Sequence, residues 1–175
     1  MVCLSYREVG VAAVVRVSER VVTVERGQFA LCDEGAPFDD RPWELPALEG
    51  RQIAVNGSGL TVASTVAMHD ADVRLELWDG PPPPESAGAP LGECVLEVPS
   101  GAVTAWAVPH GPAGEPMALG DPGPYAVRLY RHGGGPAARA RQDAADPPLF
   151  TGLERYVVQL WRRPAPEETV RAGRR

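Results

Sequence analysis

The chain has 175 residues, a formal net charge of −6 and a hydrophobic content of 44%, with aromatic residues at 6%. That is enough chain for one domain that buries roughly 70% of its unfolded surface without disulfides or a structural metal. The acidic balance argues against sequence-independent binding of DNA or RNA, which needs a strongly basic face, and no run reaches the roughly 20 apolar residues that span a bilayer.

Residues 9–17, VGVAAVVRV, form an apolar run whose β-branched valines favour a strand over a short helix, and RVVTVER at 20–26 continues it. Gly27 marks a turn, and alternation resumes at 28–32, which predicts a hairpin turning near residues 25–28. Residues 33–50, DEGAPFDDRPWELPALEG, break the pattern with prolines, glycines and acids and are long for a hairpin loop. Asn56-Gly57-Ser58-Gly59 then separates two short apolar runs, a second turn. His69-Asp70-Ala71-Asp72 reads as a loop before a strand over 72–79. The prolines at 81–84 end that strand, and 81–91 reads as an exposed loop of polyproline character. Further strands are expected at 93–98, 102–108, 124–131 and 153–162, with a loop over 109–124. Residues 132–149 read as irregular, with a flexible glycine run at 133–135 and one or two helical turns in the alanine- and arginine-rich piece.

Eight or nine strands and no crossover helices predict an all-β fold, an antiparallel β-sandwich with long Pro/Gly-rich loops. Residues 1–163 are expected to form this single domain and 164–175 a flexible basic tail. All seventeen basic residues are arginine, as GC-rich codon usage such as that of actinobacteria would produce; selection for planar, bidentate contacts is the alternative. The first thirty residues lack a secretory pattern, so a cytoplasmic location is expected. Cys3, Cys32 and Cys94 are too few and too widely spaced for a disulfide framework, and Cys32 and Cys94 read as small buried hydrophobes.

The candidate site is the acidic loop. Asp33, Glu34, Asp39, Asp40 and Glu44 surround Phe38 and Trp43. Such a cluster can steer and anchor a basic protein partner; a solvated loop with its rings tucked inward, or a calcium site, are the competing readings. His69, Asp70 and Asp72 would suit a small metal-binding barrel enzyme if their side chains converged, but no metal-ligand spacing supports this, and no cofactor is expected. Ser58 lacks the helix that a nucleophile elbow requires. Trp78, Trp106 and Trp161 fall on strands; a stacking platform for a carbohydrate or small ligand would need them on one exposed face, and Trp78 is the best placed. An exposed edge strand would also allow two copies to pair as a homodimer.

Three segments carry a family resemblance. Arg26-Gly27-Gln28-Phe29-Ala30-Leu31-Cys32-Asp33-Glu34 resembles an early strand of bacterial competence-protein-J-type proteins. Gly123-Pro124-Tyr125-Ala126-Val127-Arg128-Leu129-Tyr130 and Glu154-Arg155-Tyr156-Val157-Val158-Gln159-Leu160-Trp161 resemble the closing strands of that family and of actinobacterial relatives. The resemblance implies a small, cytosolic, β-rich protein that binds a partner without catalysis, since the family's named member inhibits a nuclease. The long proline-rich loops and the absence of lysine depart from the family pattern, and no functional residue is carried over.

Overall fold

Valine-rich alternation does not break at Ser18-Glu19-Arg20, so the two expected N-terminal runs form one strand, β1 (Val14–Glu25). The structure is a computed structural model that describes residues 11–36, 48–108, 110–145 and 150–164. Arg26 and Gly27 both adopt positive φ, 53° and 71°, the type I′ geometry that matches strand twist, and turn the chain into β2 (Gln28–Asp33). β3 (Ile53–Asn56) and β4 (Gly59–Ala63) form the second expected hairpin around Gly57-Ser58. β5 (Met68–Trp78), β6 (Ala89–Val98), β7 (Ala102–Ala107), β10 (Gly123–Gly133) and β11 (Thr151–Arg162) follow. Between β7 and β10, where a loop was expected, lie the two-residue strands β8 (Gly111–Pro112) and β9 (Met117–Ala118), both paired to β7. Among the described residues one helix forms, α1 (Gly135–Ala144), and it carries Pro136 in its first turn, where a missing N–H costs nothing.

The strands share one sheet with the path β3-β4-β2-β1-β5-β11-β10-β6. The expected sandwich is therefore corrected to a nearly closed barrel. A sandwich needs two separate sheets, whereas here the backbone bond from Glu97 N to Gly57 O, 3.1 Å, brings the far strand β6 back to the β3–β4 hairpin. The expected antiparallel order fails at one place, where β5 and β11 run parallel with Leu75 beside Val158 and Leu77 beside Leu160. On the other side the barrel is split. β2 touches β1 only at Glu25–Gln28 and then turns away to pair with β4 and β7. Arg20 reaches across that split from β1 to the carbonyl of Glu115, 2.8 Å away.

The inward face of each strand fills the core. Val73, Leu75 and Leu77 meet Val127, Leu129, Val158 and Leu160 with almost no exposure. Phe29 packs edge-on against Tyr156 with ring centroids 4.8 Å apart, which joins β2 to β11 through the interior. α1 adds only Ala138 to a small cluster with Val66 and Leu153. The proline segment after β5 is not wholly exposed as expected, because Pro82 is buried and its carbonyl accepts a 3.0 Å bond from Arg128 on β10.

Candidate functional site

Two strand faces carry polar residues in phase with the core. On β5, His69 shares the inward face with Ala71, Val73 and Leu75; on β11, Glu154 shares it with Tyr156, Val158 and Leu160. Parallel pairing of these strands brings His69 and Glu154 together inside the barrel mouth. The connection from β4 to β5 supplies Ser64 and Thr65 above them. The Glu154 carboxylate accepts from Ser64 Oγ at 2.6 Å, Tyr156 OH at 2.5 Å, the Thr65 backbone N–H at 3.0 Å and the Thr65 hydroxyl. His69 Nε2 lies 3.3 Å from Glu154 Oε2. Thr65 Oγ1 also accepts from Gly135 N at 2.6 Å, which ties the corner before α1 to the cluster.

Burial works to raise the Glu154 carboxyl, but donation from His69, Ser64, Thr65 and Tyr156 outweighs it and holds the group at about 2, fully ionised near neutrality. Burial, then the hydrogen bond and charge of Glu154, push the Tyr156 hydroxyl upward. The glycine run at 133–135 forms the tight corner before α1. A Cβ on Gly134 would collide with the Glu154 carboxylate and the Thr65 hydroxyl, and its φ of 81° disfavours any side chain.

A serine, a histidine and a carboxylate in contact invite comparison with a nucleophilic relay, and the geometry argues against one. A relay uses both imidazole nitrogens, one toward the hydroxyl and the other toward the carboxylate. Here Ser64 Oγ at 3.1 Å and Glu154 both sit at His69 Nε2, while Nδ1 is buried with no bond among the described residues. The hydroxyl is also engaged with the carboxylate and with Val66. The cluster is a structural clamp joining the β4–β5 connection, β5, β11 and the α1 corner.

The expected loop at His69–Asp72 is corrected, since these residues lie within β5. Strand alternation points His69 inward and Asp70 and Asp72 outward, so they do not converge on a metal. Among the described residues no group of three His, Cys, Asp or Glu side chains could hold an ion. His132, expected in a loop, lies on β10 opposite Arg155, and His110 Nε2 meets Glu25 at 2.8 Å. Trp78, Trp106 and Trp161 do not form an exposed platform. Trp161 is 6% exposed with the Arg128 guanidinium 5.0 Å from its ring, Trp78 is half-buried and donates to Glu76, and Trp106 stands on a different wall of the barrel.

Of the acidic-loop residues, Asp33 is buried at the end of β2, where Oδ1 accepts from Ser100 N at 2.9 Å and Ser100 Oγ at 2.6 Å. Glu34 is exposed and accepts from Thr104 on β7 at 2.6 Å. These bonds fix where the acidic segment leaves the barrel. Phe38, Asp39, Asp40, Trp43 and Glu44 lie outside the described residues. A feature the sequence did not signal is a shallow cleft of about 360 Å³ on the outer wall, lined by Glu19 and Val21 of β1, Asp72 and Arg74 of β5 and Arg155 of β11. It arises because β1, β5 and β11 are neighbours in the sheet, an order that local pattern does not encode. Among the described residues no helix is long and apolar enough to cross a membrane.

These strands define a class: a nearly closed all-β barrel with a polar clamp at one mouth and a split seam. Two solved structures are similar to it. One is ComJ from Bacillus subtilis, described as an inhibitor of the DNA-degrading activity of NucA; the TM-score is 0.55 at 10% identity, over 88% of this chain and 100% of that one. The other, described as crocagin biosynthetic gene J, gives a TM-score of 0.54 at 15% identity, over 85% of this chain and 98% of that one. No family model matches the sequence, and no curated protein does. The resemblance carried by residues 26–34, 123–130 and 154–161, which form the β1–β2 turn with β2, most of β10 and most of β11, thus holds at the level of the fold.

Proposed function

We propose that this chain is a non-catalytic protein that binds and inhibits a protein partner, a nuclease being the class its structural neighbour points to. The observation that carries the reading is the likeness to ComJ along that protein's whole length. Charge supports it. A nuclease must grip phosphates with a basic face, and a chain of net charge −6 is suited to cover such a face. The contact surface in this reading is the segment that buried Asp33 anchors, Glu34, Phe38, Asp39, Asp40, Trp43 and Glu44, with the rings as anchors and the carboxylates from Glu34 onward as steering charges. The clamps from Ser100 to Asp33 and from Thr104 to Glu34 support it by giving that segment a rigid root. The expected setting is the cytoplasm, and the partner is not nucleic acid.

The test is capture with the tagged chain in a lysate of the native host, followed by a DNA-degradation assay on the protein recovered. A recovered nuclease that is silent in the complex supports the reading. Alanine at Asp39, Asp40 and Trp43 together should then restore DNA cleavage while the circular dichroism spectrum stays unchanged. Unaltered inhibition by that variant would remove the loop from the interface, and a complex with full nuclease activity would refute inhibition itself.

A further inference from the structure

Most of the large hydrophobic residues exposed among the described residues cluster: Val11, Val14, Val15, Val17 and Val21 lie on or lead into β1, Val21 being 62% exposed, while Met68 and Phe150 lie at the starts of β5 and β11. Among the described residues the same strand also has an edge without a partner strand over part of its length. β1 pairs with β5 from Val14 to Glu25, but its other side meets β2 only at Glu25, so the run 14–21 has no second ladder partner among the described residues. Exposed valines beside a strand edge without a second ladder form a template for another strand; the edge ends at Arg20, whose guanidinium bonds the Glu19 and Glu115 carbonyls.

We propose that the strand completing this edge belongs to a second copy of the chain, paired antiparallel with Val17 on the two-fold axis. The argument is one of charge and symmetry. A two-fold relating antiparallel strands stands perpendicular to the sheet and keeps every side chain on its own face, so residues meeting across it differ by an even number of positions. Four registers centre on residues 16 to 19. Centring on Arg16 sets it against its own copy, centring on Ser18 sets Arg16 against Arg20, and centring on Glu19 sets Glu19 against Glu19. Like charges directly opposite each other are destabilising. Centring on Val17 sets valine against valine, Arg16 against Ser18 and Val15 against Glu19, with no like-charge pair opposed. The register with Val17 on the axis also buries exposed apolar surface on the outer wall, where Val17 stands beside Glu76 of β5.

Light scattering across a concentration series tests this, with a species of twice the 18.6 kDa chain mass growing in as concentration rises. Val17→Asp opposes two carboxylates and should hold the chain as a monomer. In a Cys3→Ser, Cys94→Ser background, Val17→Cys should form an intermolecular disulfide under mild oxidation, because directly opposed strand residues lie within disulfide reach. Glu19→Cys should not, since its two copies would be displaced by roughly 14 Å along the strands. A chain that stays monomeric up to roughly 1 mM, a Val17→Asp variant that still dimerises, or equal cross-linking of the two cysteine variants would each overturn the proposal. Substitution at Asp39, Asp40 and Trp43 should leave the dimer intact, which separates this outcome from that of the partner-binding test.

Discussion

Replacing Glu154 with alanine removes the single acceptor shared by Ser64, Thr65, His69 and Tyr156. Each buried donor left without a partner costs about 1–3 kcal/mol, and the losses overlap because the donors can re-pair in part. The expected total is about 3–5 kcal/mol, the range seen when one side of a buried charged pair is removed. The pKa supports the same scale. A fall from 4.5 to about 2 corresponds to on the order of 3 kcal/mol of preference for the ionised group in the folded chain. At roughly 2–4 °C per kcal/mol for a chain of this size, the thermal midpoint should drop by roughly 10 °C. Urea denaturation followed by circular dichroism measures the loss directly, and Glu154→Gln, which keeps the shape but trades one acceptor for a donor, serves if the alanine variant fails to fold. The pH dependence adds a second check. The folded group titrates below the unfolded one, so its stabilisation is complete above about pH 4.5 and is lost as pH falls towards 2. The gap between wild type and Glu154→Ala should be widest near neutrality and should narrow through that acid window. A variant within about 1 kcal/mol of wild type at neutral pH, or a gap that does not change on acidification, would refute the clamp.

Gly134→Ala should cost about 2–3 kcal/mol in the same urea titration, since φ of 81° and contact with Glu154 and Thr65 leave no room for a methyl group; a neutral substitution would mean that the corner before α1 opens freely. Burial, helped by the charge of Glu93, pushes the Cys94 thiol up to about 11, so alkylation of its peptide by iodoacetamide at mildly alkaline pH should be at least tenfold slower than that of a free cysteine, as followed by mass spectrometry. Alkylation at the free rate would place Cys94 in open solvent.

Much of the chain was legible from local chemistry. The strands of β10 and β11 and the turns at 26–27 and 57–58 follow from alternation and from Gly27 and Gly57, which tolerate positive φ, whereas Arg26 at φ 53° carries no such signal. The clamp left a faint signal that a longer alternating phase would have caught: a carboxylate in step with Tyr156, Val158 and Leu160, and a histidine in step with Ala71, Val73 and Leu75. Composition marks the proline loop as exposed, whereas Pro82 is buried and its carbonyl receives Arg128 from a strand 46 residues away.

Side-chain alternation and turn residues are properties of neighbours along the chain, and by themselves they determined that this protein is built of strands, where most of those strands turn, and which side chains face inward. Which strands lie side by side is settled by contacts between distant segments, where many pairings satisfy the same period of two. Only the tertiary structure therefore decided that the sheet curls into a barrel and that β5 and β11 run parallel. The same long-range pairing places Ser64 and Glu154, 90 positions apart, at one hydrogen bond and, among the described residues, leaves one edge of β1 without a ladder over 14–21.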